Sequence, residues 1–325
     1  MRPVFKIVID DRRDITELVR DRLLSLSVSD EAGRQSDSAE IVLDDRGSAI
    51  ALPPRGAKMT ISLGYEGRDS TVTGTYTVDE FELSGPPAAL AIRAKGADMR
   101  ASLKAQKTRS WDDVTLGDLA GRIAADHGLQ ARVGSALRSV RIPHLDQTEE
   151  SDLHLLTRLA QDHDAVAKQA GKYLLFVPQG EAYSATGKPM PVVDVHPEDT
   201  RRWRVTLADR EAYGAVAAHW HDPEAGERKT EIAGSGDPRQ TLRRTYASAP
   251  EAAEAARSKL AQLARGTARL SLELSPGNPV VAAEAELRLE GFRDGVDGSW
   301  TCRRVAHKLA RSGYSTAVEG EVKAA

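Results

Sequence analysis

The stretch Gly298-Ser-Trp-Thr-Cys-Arg-Arg-Val305 near the carboxyl end repeats the pattern of Gly74-Thr-Tyr-Thr-Val-Asp-Glu-Phe81 near the amino end. Each copy begins with glycine, a small hydroxylated residue, an aromatic residue and threonine, and each has an apolar residue five positions after the aromatic one. An alternating strand ending at glycine plus an aromatic residue precedes each copy, and a long alternating strand follows it: 59–65 and 88–94 around the first copy, 286–292 and 314–322 around the second.

A β-module that occurs twice in one chain indicates a role in architecture rather than in chemistry. One subunit that carries two similar barrels can present six similar units as a homotrimer. The repeat therefore predicts an architectural role in a symmetric assembly.

The composition is that of a soluble globular protein of two or three domains, with 325 residues, 40% hydrophobic and 29% charged. The net charge of −3 argues against a basic nucleic-acid-binding surface, so we expect no specific nucleic acid binding. Cys302 is the only cysteine, which excludes an internal disulfide and fits folding in a reducing cytoplasm. The sequence shows neither a secretion signal nor a run of about 20 apolar residues, so we expect no membrane anchoring.

Periodicity divides the chain into three predicted domains. Short strands with turn punctuation such as Gly85-Pro-Pro87 predict a first tube-like β-barrel at 1–98. A change to helical spacing predicts an α+β insertion domain at 99–198, and β patterns return in a second tube-like β-barrel at 199–325, which contains a helix at 249–265. The predicted fold class is α+β, mainly β: two tube-like antiparallel β-barrel domains, a small α+β domain between them, and a helix inserted in the second barrel.

Capping signals define the predicted helices. Thr115 with Asp118 opens the first, and Gly128 suits its left-handed end. A second helix is predicted to open near Thr148, with acidic residues in its first turn, and to end at His163 and Asp164, before a hairpin around 170–172. The third helix has Ser248 as its cap, Glu251 completing a capping box, and Gly266 at its end.

Several further motifs occur in a characteristic order: Gln106-Lys-Thr-Arg-Ser-Trp111, Thr115-Leu-Gly-Asp118, His144-Leu-Asp-Gln-Thr148, Tyr213-Gly-Ala-Val216, Leu270-Ser-Leu-Glu-Leu-Ser-Pro-Gly277, Gly291-Phe-Arg-Asp-Gly-Val-Asp-Gly-Ser-Trp300 and Arg304-Val-Ala-His-Lys-Leu309. From about residue 20 onward this series resembles the phage late control gene D protein family. Its members are the central baseplate hubs of contractile phage tails and of phage-tail-like bacteriocins (tailocins). They are similar in fold to the hub part of the type VI secretion spike protein, the valine–glycine repeat protein G.

The resemblance implies a virion structural protein: a homotrimeric hub of pseudo-sixfold symmetry that joins the hexameric tail tube protein to the trimeric spike protein. It implies further contacts with the tape measure and the baseplate wedge proteins, and assembly in the bacterial host cytoplasm. Because the sequence ends at Ala325 just after the second barrel, we expect the spike to be a separate polypeptide. Phage and DNA-free bacteriocin both remain open.

Candidate chemical sites are few. His219 and His221 share one face of a strand, a spacing that can bind zinc, but a site needs further ligands and only Asp222 is near. The series Glu149, Glu150, Asp152 and His154 could be an acid/base cluster, although the start of a helix already accounts for the acids. We therefore predict no catalytic residues, no metal site and no cofactor, and expect the protein not to be an enzyme.

Other features suggest packing rather than catalysis. Cys302 falls in a predicted strand without the setting of a nucleophile. The glycines Gly291, Gly295 and Gly298 lie in a β turn, which does not suit a phosphate cradle. For Trp111 and Trp300 two interpretations stay open, core packing and an interface anchor.

Two other functions remain as alternatives. The segment Thr115-Leu-Gly-Asp-Leu-Ala120 loosely resembles the start of a LysM-type module, which would make this a cell-wall binding or hydrolytic baseplate protein. A tail tube or tube-initiator protein is also a β-barrel ring, but such chains carry one barrel, which the length and the repeat disfavour.

Overall fold

The structure is a computed structural model that describes residues 1–32, 37–96, 101–170, 172–180, 190–207 and 213–323. The first region, the first β unit, contains one short helix and seven strands: β1 (Pro3–Ile9), β2 (Arg13–Asp14), α1 (Thr16–Arg20), β3 (Leu23–Glu31), β4 (Ser38–Asp44), β5 (Lys58–Tyr65), β6 (Thr71–Ser84) and β7 (Ala89–Gly96).

The middle unit alternates helices and strands: α2 (Ala101–Lys104), β8 (Gln106–Thr115), α3 (Leu116–Asp126), β9 (Gln130–Val133), α4 (Ser135–Arg138), β10 (Arg141–Ser151), α5 (Asp152–Asp162), β11 (Ala165–Ala170) and β12 (Tyr173–Pro178). The last region contains β13 (Val193–Val195), β14 (Thr200–Leu207), β15 (Ala215–Asp222), β16 (Glu227–Gly234), β17 (Arg239–Tyr246), α6 (Ala249–Gly266), β18 (Ala268–Leu274), β19 (Glu286–Leu289), β20 (Gly298–Ala310) and β21 (Gly313–Val322).

Strand order repeats between the two ends of the chain. In the first β unit the neighbours run β3-β4-β7-β6-β5-β1, and the second β unit runs β14-β18-β21-β20-β19-β13. Each strand of one series occupies the place of its counterpart in the other, although β13 pairs parallel with β19 whereas β1 pairs antiparallel with β5. This confirms the predicted mainly β fold with two similar antiparallel β-barrel domains.

The same irregularity occurs in both copies. The pairing of β6 with β7 slips between Val78 and Glu80, and the pairing of β20 with β21 slips between Cys302 and Arg304. A β-bulge bends its strand and increases the local twist. The two bulges occur at matching places, each five positions beyond the opening glycine of its copy.

Each β unit buries its own apolar face. Tyr76 is 1% exposed in the first core and its counterpart Trp300 is 2% exposed in the second. The alternation of the strands produces these cores, because successive side chains point to opposite faces of a sheet. Although β13 precedes residue 199, its Val195 packs in the second core and the strand pairs with β19.

A single thirteen-stranded sheet runs through both units, because β20 pairs antiparallel with β3. The register extends from Arg304 opposite Glu31 to Ala310 opposite Ser25. We call this pairing the internal junction. It links residues that are far apart in sequence, and no local sequence pattern predicts it.

The middle unit has a separate core around α3 and α5. The α3 cap is as predicted: the Thr115 hydroxyl accepts from the Asp118 backbone N–H, and the Asp118 carboxylate accepts from the Thr115 backbone N–H. The predicted helix start near Thr148 was wrong. β10 continues to Ser151 opposite Gln106 of β8, so α5 begins only at Asp152.

Between β14 and β18 the chain forms an appendage of three strands and a helix. β15 lies between β16 and β17 in a sheet of its own, and α6 packs against it through small side chains, among them Ala218 and Ala256. The sequence predicted the helix α6 and a strand that carries His219 and His221, but not a separate sheet. Small residues on both faces let the helix approach closely, which makes the appendage a compact layer.

Candidate assembly surface

At the internal junction, the facing edges of β3 and β20 are paired with each other. Leu26 and Val28 of β3 are 0% and 1% exposed, and Val305 of β20 is 0% exposed. On the opposite, polar face, the Arg304 guanidinium contacts a Glu31 carboxylate oxygen at 2.9 Å. Apolar burial on one face and an ion pair on the other thus hold the two β units together.

Among the strand edges that stay open within the described residues are one edge of β14 and the outer half of β6. β14 pairs with β18 on one side, and none of the described strands covers its other side. β6 pairs with β7 along Glu80–Ser84, whereas its other neighbour β5 reaches only to Thr77. An open edge presents free backbone N–H and C=O groups and is a template for another strand.

Large apolar side chains are exposed at these two edges. Leu83 on β6 is 63% exposed, and on β14 Leu207 is 63% and Trp203 is 41% exposed. The Trp203 ring packs edge-on against Phe292 at 5.3 Å, which holds the indole in place while leaving part of it open. Apolar groups at an open strand edge mark it as an interaction site.

The two edges carry opposite charge. On β6, Glu80 and Glu82 both contact Arg93 of β7, at 3.1 and 2.7 Å, so two carboxylates share one guanidinium that Glu40 also contacts. On β14, Arg201 and Arg202 share the single carboxylate Glu273, and Arg204 adds a further positive charge. The β6 edge is therefore acidic and the β14 edge basic.

A partly buried lysine ties the middle unit to both β units. The Lys168 ammonium of β11 donates to Asp30 Oδ1 at 3.1 Å, to Asp37 Oδ1 at 3.2 Å and to the Glu31 carbonyl at 3.0 Å. The second Asp30 oxygen accepts the Ala283 backbone N–H of the second β unit at 2.8 Å. Burial raises the pKa of Asp37 to about 6, although Lys168 acts in the opposite direction.

Asp152 is the electrostatic centre of the middle unit. Its carboxylate is 0% exposed and accepts from Lys107 and Arg109, at 2.6 Å each, and it lies 2.8 Å from His127 Nε2. Burial alone would raise the pKa of Asp152, but these partners and Gln147 outweigh it and lower the pKa to about 2. The cluster locks the start of α5 against β8.

A cleft of about 1060 Å³ lies between the middle unit, α6 and the second β unit. Some of its charged lining residues pair with each other: Arg265 of α6 contacts both Asp164 and Glu321, the latter at 3.2 Å. Glu284 accepts the Gly180 backbone N–H through one oxygen, and burial raises its pKa. These contacts fasten the middle unit to the second β unit.

Three of the four residues considered for an acid/base cluster, Glu150, Asp152 and His154, have structural partners. Glu149 and Glu150 lie in β10 rather than in a helix, and Glu150 contacts Arg158 at 2.8 Å and His154 at 2.5 Å. Asp152 serves the buried cluster described above. As predicted, α5 ends here: its last residue is Asp162, and His163 is its C-cap. Asp164, the next residue, contacts Arg265.

His219 and His221 lie on β15 of the appendage, where His219 Nδ1 is 2.8 Å from the Thr230 hydroxyl. Across the described ranges, no group of three or more His, Cys, Asp or Glu side chains is arranged to hold a metal ion. Asp222, the further ligand considered, instead contacts Lys229 at 2.5 Å and caps the turn that follows.

Cys302, Trp111 and Trp300 lie in apolar cores, which for the two tryptophans is one of the two interpretations left open by the sequence. Cys302 is 0% exposed in β20, and burial raises the pKa of its thiol. The Trp300 indole donates to the Val296 carbonyl at 2.9 Å, and the Trp111 indole donates to Gln147 at 3.3 Å. Sequence reasoning overlooked the surface residues Trp203 and Leu207, although their alternation with Arg202, Arg204 and Thr206 is readable in the sequence.

Comparison with known proteins gives consistent results. The chain is 35% identical to the probable baseplate hub protein of Escherichia phage 186, over 99% of this chain and 94% of that protein. Its fold is similar to a 43 kDa tail protein of prophage MuSo2 from Shewanella oneidensis, with a TM-score of 0.71, 12% identity and 98% of both chains covered. It is also similar to an Escherichia coli component of the type VI secretion system, with a TM-score of 0.56, 11% identity, and 93% of this chain and 74% of that one covered.

No helix in the described part of the chain combines the length and apolarity needed to span a bilayer. The model of the family described as phage tail baseplate hub (GPD) matches residues 37–313, which is most of the chain. Together with the close relative in phage 186, this match shows that the chain belongs to the phage tail baseplate hub family.

Proposed function

We propose that the protein is the structural central hub of a contractile tail baseplate: a homotrimer of pseudo-sixfold symmetry that joins the hexameric tail tube to the trimeric spike. One observation carries this proposal. Two β units with the same strand order are joined edge to edge inside one chain, and each unit at the ends of that chain keeps a free edge.

Symmetry favours an assembly of three chains. If the internal junction is repeated between chains, each chain adds two similar positions to a ring, and three chains close it. Closure covers the open strand edges, which would otherwise favour aggregation. Such a ring presents six similar positions to a tube and three identical ones to a spike.

The relatives support this role. The phage 186 relative is named a probable baseplate hub protein, and a similar fold occurs in a component of the type VI secretion system. We infer that the partners are the tail tube, the spike, the tape measure and the wedge proteins, and that the hub works in a virion or bacteriocin particle assembled in the host cytoplasm. The role is structural and involves no catalysis.

The domain division inferred from the sequence, 1–98, 99–198 and 199–325, is part of this proposal. Three separate apolar cores support it. Because β13 pairs with β19, we propose that Val193–Val195 belong to the second β unit and that the middle domain ends just before them.

Mass measurement of the purified full-length chain, alone and with its tail tube protein, tests the proposal. We expect a species of three chains, and electron microscopy of the assembled particle should show that species as a ring at the end of the tube. A chain that stays monomeric at micromolar concentration in both samples, or a ring with other than three copies, would overturn it.

A further inference from the structure

The repeat gives each residue of β6 a counterpart on β20. Gly74 corresponds to Gly298, and the bulges after Val78 and Cys302 then coincide. With the same offset Phe81 corresponds to Val305. The pairing of each strand with the next supports this alignment of β6 with β20, because Phe81 lies opposite Ile92 of β7 and Val305 lies opposite Val318 of β21.

The other edge strands, β3 and β14, correspond through the strands beside them. Ile92 is paired in turn with Ile41 of β4, and Ile41 with Leu26 of β3. In the second β unit the same path leads from Val318 through Leu272 to Trp203 of β14. Trp203 is thus the counterpart of Leu26. Continuing along the two strands, the counterparts of Val28, Ser29 and Asp30 are Val205, Thr206 and Leu207.

Matching positions differ in exposure. Leu26 and His307 are buried at the internal junction, at 0% and 3% exposed. Their counterparts Trp203 and Leu83 are 41% and 63% exposed at the free edges. The free edges therefore carry the side chains of a junction without its partner strand.

We propose that β14 of one copy pairs antiparallel with residues Glu80–Ser84 of β6 in the next copy, in the register of the internal junction. This inference rests on the proposed function, and it specifies which strands meet and how. Leu207 then lies opposite Phe81, Thr206 opposite Glu82, and Val205 opposite Leu83. The occupant of both edges is a second copy of this chain.

Charge determines which edges meet. At the internal junction the polar face of β20 is basic, with Arg304 and Lys308, and it meets the acidic Glu31 of β3. At the free edges the signs are exchanged, since β6 carries Glu80 and Glu82. The exchange extends to the neighbouring strand: Arg304 contacts Glu319 at 3.6 Å, whereas its counterpart Glu80 contacts Arg93.

The exchange of signs disfavours incorrect assemblies. Pairing β6 with a second β6 would place the acidic residues Glu80 and Glu82 against each other. Pairing β14 with a second β14 would do the same with the basic residues Arg202 and Arg204. Like charges on directly paired strands are destabilising, so the basic edge selects the acidic one and the ring grows in one direction.

Disulfide trapping tests the register in the full-length chain. Residues directly opposite in an antiparallel pair lie within the Cα separation that a disulfide requires. In the variant Glu82→Cys/Thr206→Cys we expect oxidation to link most chains into covalent trimers on non-reducing gels. The matched control Glu82→Cys/Arg202→Cys is out of register by four residues and should link few. Cys302 is fully buried and should not interfere.

Charge reversal tests the selection. In the proposed register Arg204 lies opposite Ser84 and diagonal to Glu82. Either Glu82→Arg or Arg204→Glu should lower the trimer fraction about tenfold at equal concentration, and the two together should restore it. Both positions are exposed, so circular dichroism should be unchanged.

The outcomes separate the two proposals. A wild-type trimer in which the 82/206 pair does not link, or in which the 82/202 pair links equally well, overturns the register and leaves the hub function standing. Failure of the double reversal to restore a trimer that each single change weakens overturns the charge selection. A wild-type chain that never forms trimers overturns this inference together with the hub function.

Discussion

Replacing Lys168 by methionine should destabilise the chain strongly, because this lysine neutralises two partly buried carboxylates at the meeting point of three units. Methionine keeps most of the apolar stem and removes only the ammonium. Asp30 and Asp37, whose side chains are 20% and 26% exposed, would then face each other without a cation. Removing one partner of a buried ion pair costs about 3–5 kcal/mol. Since these side chains are not fully buried, we expect about 3 kcal/mol at neutral pH.

The penalty should depend on pH. The pKa of Asp37 is about 6 in the folded chain, above the value of about 4 for an unfolded aspartate. A raised folded pKa means that the folded state holds the proton more tightly, so this group makes stability fall as pH rises from about 4 to 6. Lys168 lowers the pKa of Asp37, and its loss should extend that window upward. The variant should therefore be most impaired near pH 8 and least impaired near pH 5.

Urea unfolding followed by tryptophan fluorescence at both pH values measures this difference. Lys172→Met is the matched control, because Lys172 is an exposed lysine in the same hairpin and its loss should cost less than about 0.5 kcal/mol. Adding Asp37→Asn to Lys168→Met should recover part of the stability near pH 8. A cost below about 1 kcal/mol at both pH values, or a cost that does not change with pH, would refute the reasoning.

Three further changes test other parts of the structure. Asp152→Asn should cost about 2–3 kcal/mol at pH 7, because the lowered pKa of about 2 contributes stability above pH 4; acid titration of the wild type should show that contribution disappearing between about pH 4 and 2, and the variant should lack this step. Tyr65→Phe removes the hydroxyl that donates to the Gly277 carbonyl at 2.6 Å across the two β units, and urea unfolding should show a loss of about 1 kcal/mol. Trp300→Ala should cost about 3–5 kcal/mol by thermal or urea unfolding and reduce trimer formation, because Trp300 is 2% exposed in the second core; wild-type stability in this variant would mean that the core does not depend on the indole.

Local patterns were sufficient for much of the fold. The repeated glycine, aromatic and threonine spacing identified β6 and β20, and the caps at Thr115 and Ser248 placed α3 and α6. These features depend on neighbours in sequence, which the sequence displays directly. The family resemblance, from many short motifs in order, was also confirmed by comparison.

Long-range pairing was not readable in the same way. The junction of β3 with β20 joins segments near opposite ends of the chain. The alternation of apolar and polar residues in either strand does not depend on which strand lies beside it. The same limit hid the separate sheet of β15–β17. The start of α5 was misplaced because pairing with β8 extends β10 through Glu150, against the acidic signal for a helix. The free edges of β6 and β14 follow from pairing as well, so they became visible only in three dimensions.

The appendage between β14 and β18 makes the two halves of the chain unequal. The first β unit passes from β3 to β4 without any such insertion. In the proposed ring, the barrel wall then repeats at every position, while the appendage projects at every second one. A partner that binds the barrel wall would find six similar sites, and a partner that binds the appendages would find three. One polypeptide that contains a β unit with the appendage and a β unit without it therefore carries both a sixfold and a threefold periodicity.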